Sequence, residues 1–292
     1  MLLTARTRRS CPCAIAVTAA LVLAACRTEV APGSLAGAVS VTPQRPSVEA
    51  GAPIDIEYRF TRRVDAPAFP ADAWVFVHAT DAAGVLLWTD DHQPPTAPST
   101  WGDADVTYRR TMFVPRGTPP GRVHIEAGVF VRPDGVRIPI AAANPSTSGF
   151  DVIPASNELF VVFGDGWHAA ERVEQQQANE WRWSKGDARL SFRRPSRDAV
   201  LSIEIDQPVT QVSRPTVEVR IGSDLLASLY VNPLARQIYR VPLPVVRLGT
   251  APTVDLNVHV QPTFVPARTA GLGSQDTREL GVRVFNVHVG FP

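Results

Sequence analysis

An all-β protein is what this sequence predicts, and three observations predict it. Apolar residues recur at every second position in run after run, clusters of Gly and Pro separate the runs, and no segment carries the apolar stripe of an amphipathic helix. The chain has 292 residues and is 45% hydrophobic, enough for one large or two ordinary cores. Its 19 Gly and 27 Pro show no Gly-X-Y period, and their share is below that of disordered low-complexity chains.

The elements follow in order. Ile54, Ile56, Tyr58 and Phe60 alternate with Asp55, Glu57 and Arg59, as in a strand with one face on a core and one in water. Trp74 to Ala79 is apolar on both faces and reads as a central strand covered on both sides. Val123, Ile125, Ala127, Val129 and Val131 repeat the half-buried pattern. Turn signals at Asp81 to Gly84, Arg116 to Gly121 and Pro133 to Gly135 divide these runs. About seven short strands over residues 39 to 154 fit an immunoglobulin-like sandwich.

After Pro154 a second set begins, with Leu201, Ile203 and Ile205, then Val217, Val219 and Ile221, then Val254, Leu256, Val258 and Val260. Near the C-terminus Leu280, Val282 and Val284 keep one phase, whereas Phe285, Val287 and Val289 keep the other, which predicts a β-bulge or change of sheet near Val284. Eight or so strands over residues 155 to 292 predict a jelly-roll-like sandwich. Ala169 to Asn179 lacks an apolar stripe and reads as a surface loop with at most a short helix.

The N-terminus supplies an address. Arg6, Arg8 and Arg9 precede an apolar run, Ala14 to Ala25, of the length of a secretory h-region. The run ends Leu23-Ala24-Ala25-Cys26, which resembles the lipobox of bacterial lipoproteins. That resemblance implies a signal peptide over residues 1 to 25, acylation of the Cys26 thiol, and anchoring to the bacterial cell envelope; the absence of Asp after Cys26 favours the outer membrane. Cys11 and Cys13 would leave with the signal, so no free thiol would remain in an oxidising compartment. Residues 26 to 38, rich in small residues and without hydrophobic period, read as a flexible tether. The formal charge of +1 would become −2 on loss of the three signal arginines, and neither value suits a nucleic-acid partner.

Two further resemblances cover most of residues 40 to 292. Phe76-Val77-His78, Asp91-His92-Gln93-Pro94-Pro95, Thr100-Trp101, Pro119-Pro120-Gly121 and Asp134-Gly135 resemble, in their order, a small sandwich domain of bacterial envelope proteins and membrane glycosyltransferases. Gly166-Trp167-His168, Glu171, Arg182-Trp183-Ser184, Ala188-Arg189-Leu190, Phe264, Pro266, Asp276, Arg278, Leu280 and Gly281 resemble a jelly-roll module appended to such enzymes. The resemblance implies an accessory, sugar-facing role. The transmembrane catalytic part of those glycosyltransferases has no counterpart in the sequence, so their reaction is not expected.

Candidate ligand-binding residues follow from chemistry. Trp88, Trp101, Trp167 and Trp181 offer flat apolar platforms for sugar rings, and Asp90, Asp91, His92 and Arg182 offer hydrogen bonds to hydroxyls. Trp101 lies in the aperiodic, Pro-, Ser- and Thr-rich stretch 94 to 105 and is the best candidate for an exposed ring. Trp183 reads as core, and so does His78. Asp90, Asp91, Asp103 and Asp105 read as a solvated acidic loop in preference to a calcium site. No metal or other cofactor is expected.

No nucleophile elbow, zinc-protease helix, phosphate loop or dinucleotide fingerprint occurs in the sequence. A glycosidase needs only two facing carboxylates, for which Asp91 with Glu171 or Asp105 with Glu126 are candidates. The expectation is therefore a non-catalytic, membrane-anchored envelope lipoprotein that recognises glycan or assists polysaccharide assembly. The alternative is a structural lipoprotein that docks another envelope protein.

Overall fold

The structure, a computed structural model, describes residues 35–156, 158–173, 176–232 and 235–292. The candidate signal peptide, Cys26 and the tether up to residue 34 lie outside the described residues.

Ten strands come first: β1 (Gly37–Pro43), β2 (Ser47–Glu49), β3 (Pro53–Arg62), β4 (Ala73–Asp81), β5 (Leu86–Thr89), β6 (Val106–Phe113), β7 (Gly121–Val131), β8 (Val136–Ile138), β9 (Ile140–Ala142) and β10 (Gly149–Ile153). They form one sheet of order β6-β3-β1-β9 and another of order β2-β10-β7-β4-β5, with β8 paired to β7. Ile54, Ile56, Tyr58 and Phe60 point between the sheets beside Val75, Val77, Val123, Ile125 and Val129, so the alternating residues of both sheets close a single core. Two pairings, β1 with β9 and β2 with β10, are parallel.

Ten more strands follow: β11 (Val162–Phe163), β12 (Glu171–Val173), β13 (Gln176–Trp183), β14 (Asp187–Arg193), β15 (Ala199–Asp206), β16 (Thr216–Ile221), β17 (Asp224–Tyr230), β18 (Gln237–Leu243), β19 (Thr253–Gln261) and β20 (Arg283–Gly290). Their sheets have the orders β11-β14-β19-β16-β17 and β12-β13-β20-β15-β18. A second core, separate from the first, lies between them around Leu190, Leu201, Ile203, Val219, Val241, Leu256 and Val287. The protein is thus all-β and built of sandwiches. Among the described residues the helical segments are 3-10 turns at Pro98–Thr100, Val245–Arg247 and Pro266–Arg268, and no helix is long and apolar enough to cross a membrane.

Three local expectations need correction or refinement. Among the described residues of the stretch 169 to 179 there is no helix: Glu171–Val173 and the residues from Gln176 onward form the antiparallel pair β12–β13, whose register slips between Arg172 and Val173. Strand β4 is not sunk in apolar material on both sides. Val75, Val77 and Ala79 enter the core, whereas on the other face Arg132 lies 4.5 Å over Trp74 and Arg137 lies 4.0 Å over Phe76. His78 belongs to that outward face, half-buried, with its Nδ1 3.0 Å from Arg137 Nη2, and is not a core histidine.

The irregularity in β20 falls where the phase change places it. Glu204 pairs with Asn286 but Ile205 pairs with Val284, which leaves Phe285 as the extra residue. Without the bulge, strict alternation would turn Val287 and Val289 away from the core; with it, Val282, Val284, Val287 and Val289 are all buried.

Candidate functional site

The bulge also shapes the outer surface of its sheet. Phe285 and Asn286 are both half-buried and face a cleft of about 1110 Å³ that runs between the two sandwiches. The first sandwich contributes its open edge, from Trp88 to Gln93 and along β6. The second contributes the outer face of the sheet containing β15, β18 and β20, and also Phe160, Phe163 and Arg182, the last reaching the cleft from the core-facing side of that sheet.

At the first edge, Asp90 follows β5 directly and accepts two hydrogen bonds from Arg110, Nε to Oδ2 at 2.6 Å and Nη2 to Oδ1 at 2.8 Å. This two-point geometry fixes both side chains. His92, buried, places Nδ1 2.8 Å from the Asp90 carbonyl oxygen and Nε2 2.9 Å from the Tyr108 hydroxyl. A carbonyl can only accept, so Nδ1 carries the proton and Tyr108 donates to Nε2. Burial, with help from the Arg110 charge, holds the His92 pKa below its ordinary value, so the ring is neutral. Burial likewise pushes the phenols of Tyr58 and Tyr108 far up, keeping both protonated.

Across the cleft, Glu204 accepts a 2.6 Å bond from Asn286 Nδ2 and lies 3.7 Å from Arg236. Burial raises its pKa against the pull of Arg236 and Asn286, and the Asp90 carboxylate adds a smaller push in the same direction. Beside it, Arg283 donates to both oxygens of Asp206 at 2.7 and 2.6 Å and sits 5.0 Å over Trp181 and 5.2 Å over Phe285. Arg236 lies 3.7 Å over Phe285. Rings and guanidinium planes therefore interleave along the second wall.

Of the candidates from sequence, Trp88, Asp90, His92, Trp181 and Arg182 line this one cleft. The other three do not. Trp101 is 5% exposed, packs on Phe60 and Phe69, and donates its indole N–H to the Thr96 carbonyl at 3.0 Å. The loop around it is aperiodic because it folds a single large ring into the core, and no exposed platform results. Asp91 accepts the Val77 backbone N–H at 2.9 Å and serves the backbone. Trp167 donates to the Arg189 carbonyl at 2.8 Å with its ring on edge to Phe163. Trp88 lines the cleft but is only 9% exposed, a wall residue more than a platform. Trp183 is buried against Phe264 and Leu280.

The carboxylate pairs drawn from sequence are each engaged elsewhere. Glu171 binds Arg278 at 2.6 Å, Asp105 binds Arg59 and Thr61, and Glu126 binds Arg137 at 3.0 Å. Asp103 pairs with Arg62 at 2.6 Å, so the acidic loop is partitioned among separate partners, and among the described residues no His, Cys, Asp and Glu cluster is arranged to hold a metal ion. Residues that sequence reasoning missed are Arg110, which fixes Asp90 in a two-point pair, Tyr108, Glu204, Arg236, Phe285 and Asn286. Only Phe285 and Asn286 left a trace, as the phase change in β20.

No protein-family model matches the chain, and no curated protein matches it. Solved structures give distant likenesses. The C-terminal CBM6 of LamC, a laminarinase from Zobellia galactanivorans, is 9% identical over 45% of this chain and 98% of its own, with a TM-score of 0.26. CBM51-2 of Clostridium perfringens ZmpB, in complex with GlcNAc, is 7% identical over 85% of this chain and 40% of its own, at 0.24. An alkylpurine DNA glycosylase, AlkC from Pseudomonas fluorescens, is 14% identical over 41% of this chain, which spans 31% of that enzyme, at 0.25. At these TM-scores none of the likenesses carries over a ligand or an activity.

Proposed function

We propose that the chain is a non-catalytic, lipid-anchored envelope protein that recognises glycan in the cleft between its two sandwiches. One observation carries the reading. Trp181, Phe163, Phe285 and Tyr239 share a single large cleft with the hydrogen-bonding groups of Asp90, Arg110, Glu204 and Asn286, all set on or directly beside strands. Sugars demand this mixture, because their ring C–H faces pack on aromatic rings while their hydroxyls need donors and acceptors at fixed positions. Phe285 serves the apolar part and Asn286, its neighbour, the polar part. The envelope address rests on the lipobox resemblance at Cys26.

Binding of the full chain, in detergent, to a panel of envelope polysaccharides tests the reading, with Phe285→Ala as the variant. We expect at least one polysaccharide to bind and Phe285→Ala to weaken it by about ten-fold, the scale of one aromatic contact. Absence of binding across the panel by a folded sample, together with capture of a stoichiometric envelope protein, would instead favour the docking role. Incorporation of labelled palmitate, abolished by Cys26→Ala, checks the anchor separately.

A further inference from the structure

The polar groups that line the cleft do not balance in charge. Five arginines (Arg109, Arg110, Arg116, Arg182 and Arg236) face three acids, Asp90, Glu180 and Glu204. Arg110 is closed by Asp90, Arg236 lies beside Glu204, and Arg109 is closed by Glu57 at 2.9 Å. Arg116 and Arg182 have no carboxylate partner among the described residues. His92, the cleft's histidine, is neutral and adds nothing to either side.

Arg182 is the more telling of the two. In the ladder between β13 and β20 it pairs with Val284, a core residue, so the register places it on the core-facing side of the sheet. There it is half-buried, its guanidinium 5.2 Å over the Phe163 ring, and its hydrogen bond is a long 3.3 Å contact to the His168 carbonyl. A guanidinium has five N–H donors and cannot shed its proton, so a half-buried one that uses a single weak acceptor is an incompletely satisfied cation. Glu180, two residues earlier on the same strand, is exposed and forms no ion pair with it. Arg116 repeats the arrangement. It lies 5.9 Å over Phe160 and gives one bond, at 2.9 Å, to the Val287 carbonyl. Phe160 and Phe163 are three residues apart, so two cation-on-ring stacks stand on one short segment.

We propose that the cleft selects acidic glycan, with Arg182 receiving a carboxylate of the sugar in a two-point contact and Arg116 adding a second positive arm. This rests on the glycan reading above and names the class of glycan. The planar fork of arginine matches a carboxylate better than any neutral hydroxyl array, and the ring beneath each guanidinium holds the fork in place without neutralising it.

A matched pair of polymers separates this proposal from the reading on which it rests. Polygalacturonate and its fully methyl-esterified form share one backbone and differ in charge. Binding of the full chain is measured for both, for Arg182→Gln and Arg182→Lys, and at 50 and 300 mM NaCl. We expect tight binding to the charged polymer alone, a loss of about ten-fold or more in Arg182→Gln, partial recovery in Arg182→Lys, and weakening with salt. Thermal midpoints of both variants show whether they are folded, and Arg116→Gln provides a second variant if Arg182→Gln is not. Equal binding to the two polymers, or loss of affinity without dependence on charge or salt, overturns the acidic selectivity and leaves glycan binding standing. Binding to neither polymer, with capture of a neutral polysaccharide from the wider panel, overturns the selectivity in the same way. Silence across the wider panel overturns both.

Discussion

Tryptophan 101 and arginine 182 show how a residue's chemistry depends on where the register puts it. Composition alone marks Trp101 for binding, because it sits in a loop full of Pro, Ser and Thr. Its burial among Phe60 and Phe69 makes it part of the core instead. Trp101→Ala is therefore expected to cost roughly 3–5 kcal/mol of folding stability, the range for deleting a large buried aromatic. Urea denaturation measures this, and any Trp101→Ala protein that remains folded should bind glycan with unchanged affinity. Arg182 reads in sequence as one arginine between two tryptophans. Only its pairing with Val284 reveals that the charge stands on the core side of a sheet. Likewise Asp90, Arg110 and Glu204 are far apart in sequence, and nothing local in any of them announces the others. Residue types were legible at this scale, and partners were not.

At the scale of elements the sequence says more, since alternation is a local property. The runs at Ile54, Val123, Leu201, Val217 and Val254 all lie on strands, in the phases their apolar residues require. The phase change near Val284 marks the bulge at Phe285. What could not be read is that the extra residue faces a cleft formed with another sheet. The hairpin β12–β13 was illegible for a related reason: Glu171 to Asn179 carries almost no apolar residue, so its strands leave no alternation to detect. The bulge gives a sharp prediction. Deleting Phe285 restores uninterrupted alternation through Val282, Val284, Val287 and Val289, so the core can keep its pattern. We expect the deletion variant to show an unchanged far-ultraviolet circular dichroism spectrum while binding of glycan falls by about ten-fold or more. Deleting Val258 from the regular strand β19 would take one residue out of the core and turn Val260 to solvent, and should destabilise the second sandwich.

At the scale of the whole molecule, the cleft depends on how the sandwiches meet. Arg240 of β18 donates to both oxygens of Asp55 on β3 at 2.8 Å, and Thr111 donates to the same carboxylate at 2.5 Å. Burial alone would raise the Asp55 pKa, but the bonds from Arg240 and Thr111 and the nearby positive charge outweigh it and lower the pKa below its ordinary 3.8. The folded form thus binds its proton less readily than the unfolded form, so the clamp's contribution is present above pH 3.8 and is lost as the pH falls through the folded value. Asp55→Asn is expected to abolish this acid-dependent loss and to widen the angle between the sandwiches at neutral pH. Small-angle scattering against pH reads both effects. The variant should leave each core intact.

The two cores are separate, and the cleft draws one wall from each. A saccharide lying across both walls would therefore act as a splint. In its absence, calorimetry should resolve two melting events, one for each core. With a spanning saccharide bound, the less stable half could not melt without giving up its share of the ligand, and the two events should move together toward one. The heat of melting then becomes a gauge of reach. A sugar too short to touch both walls would raise only one transition, and the chain length at which the peaks merge would measure the footprint of the site.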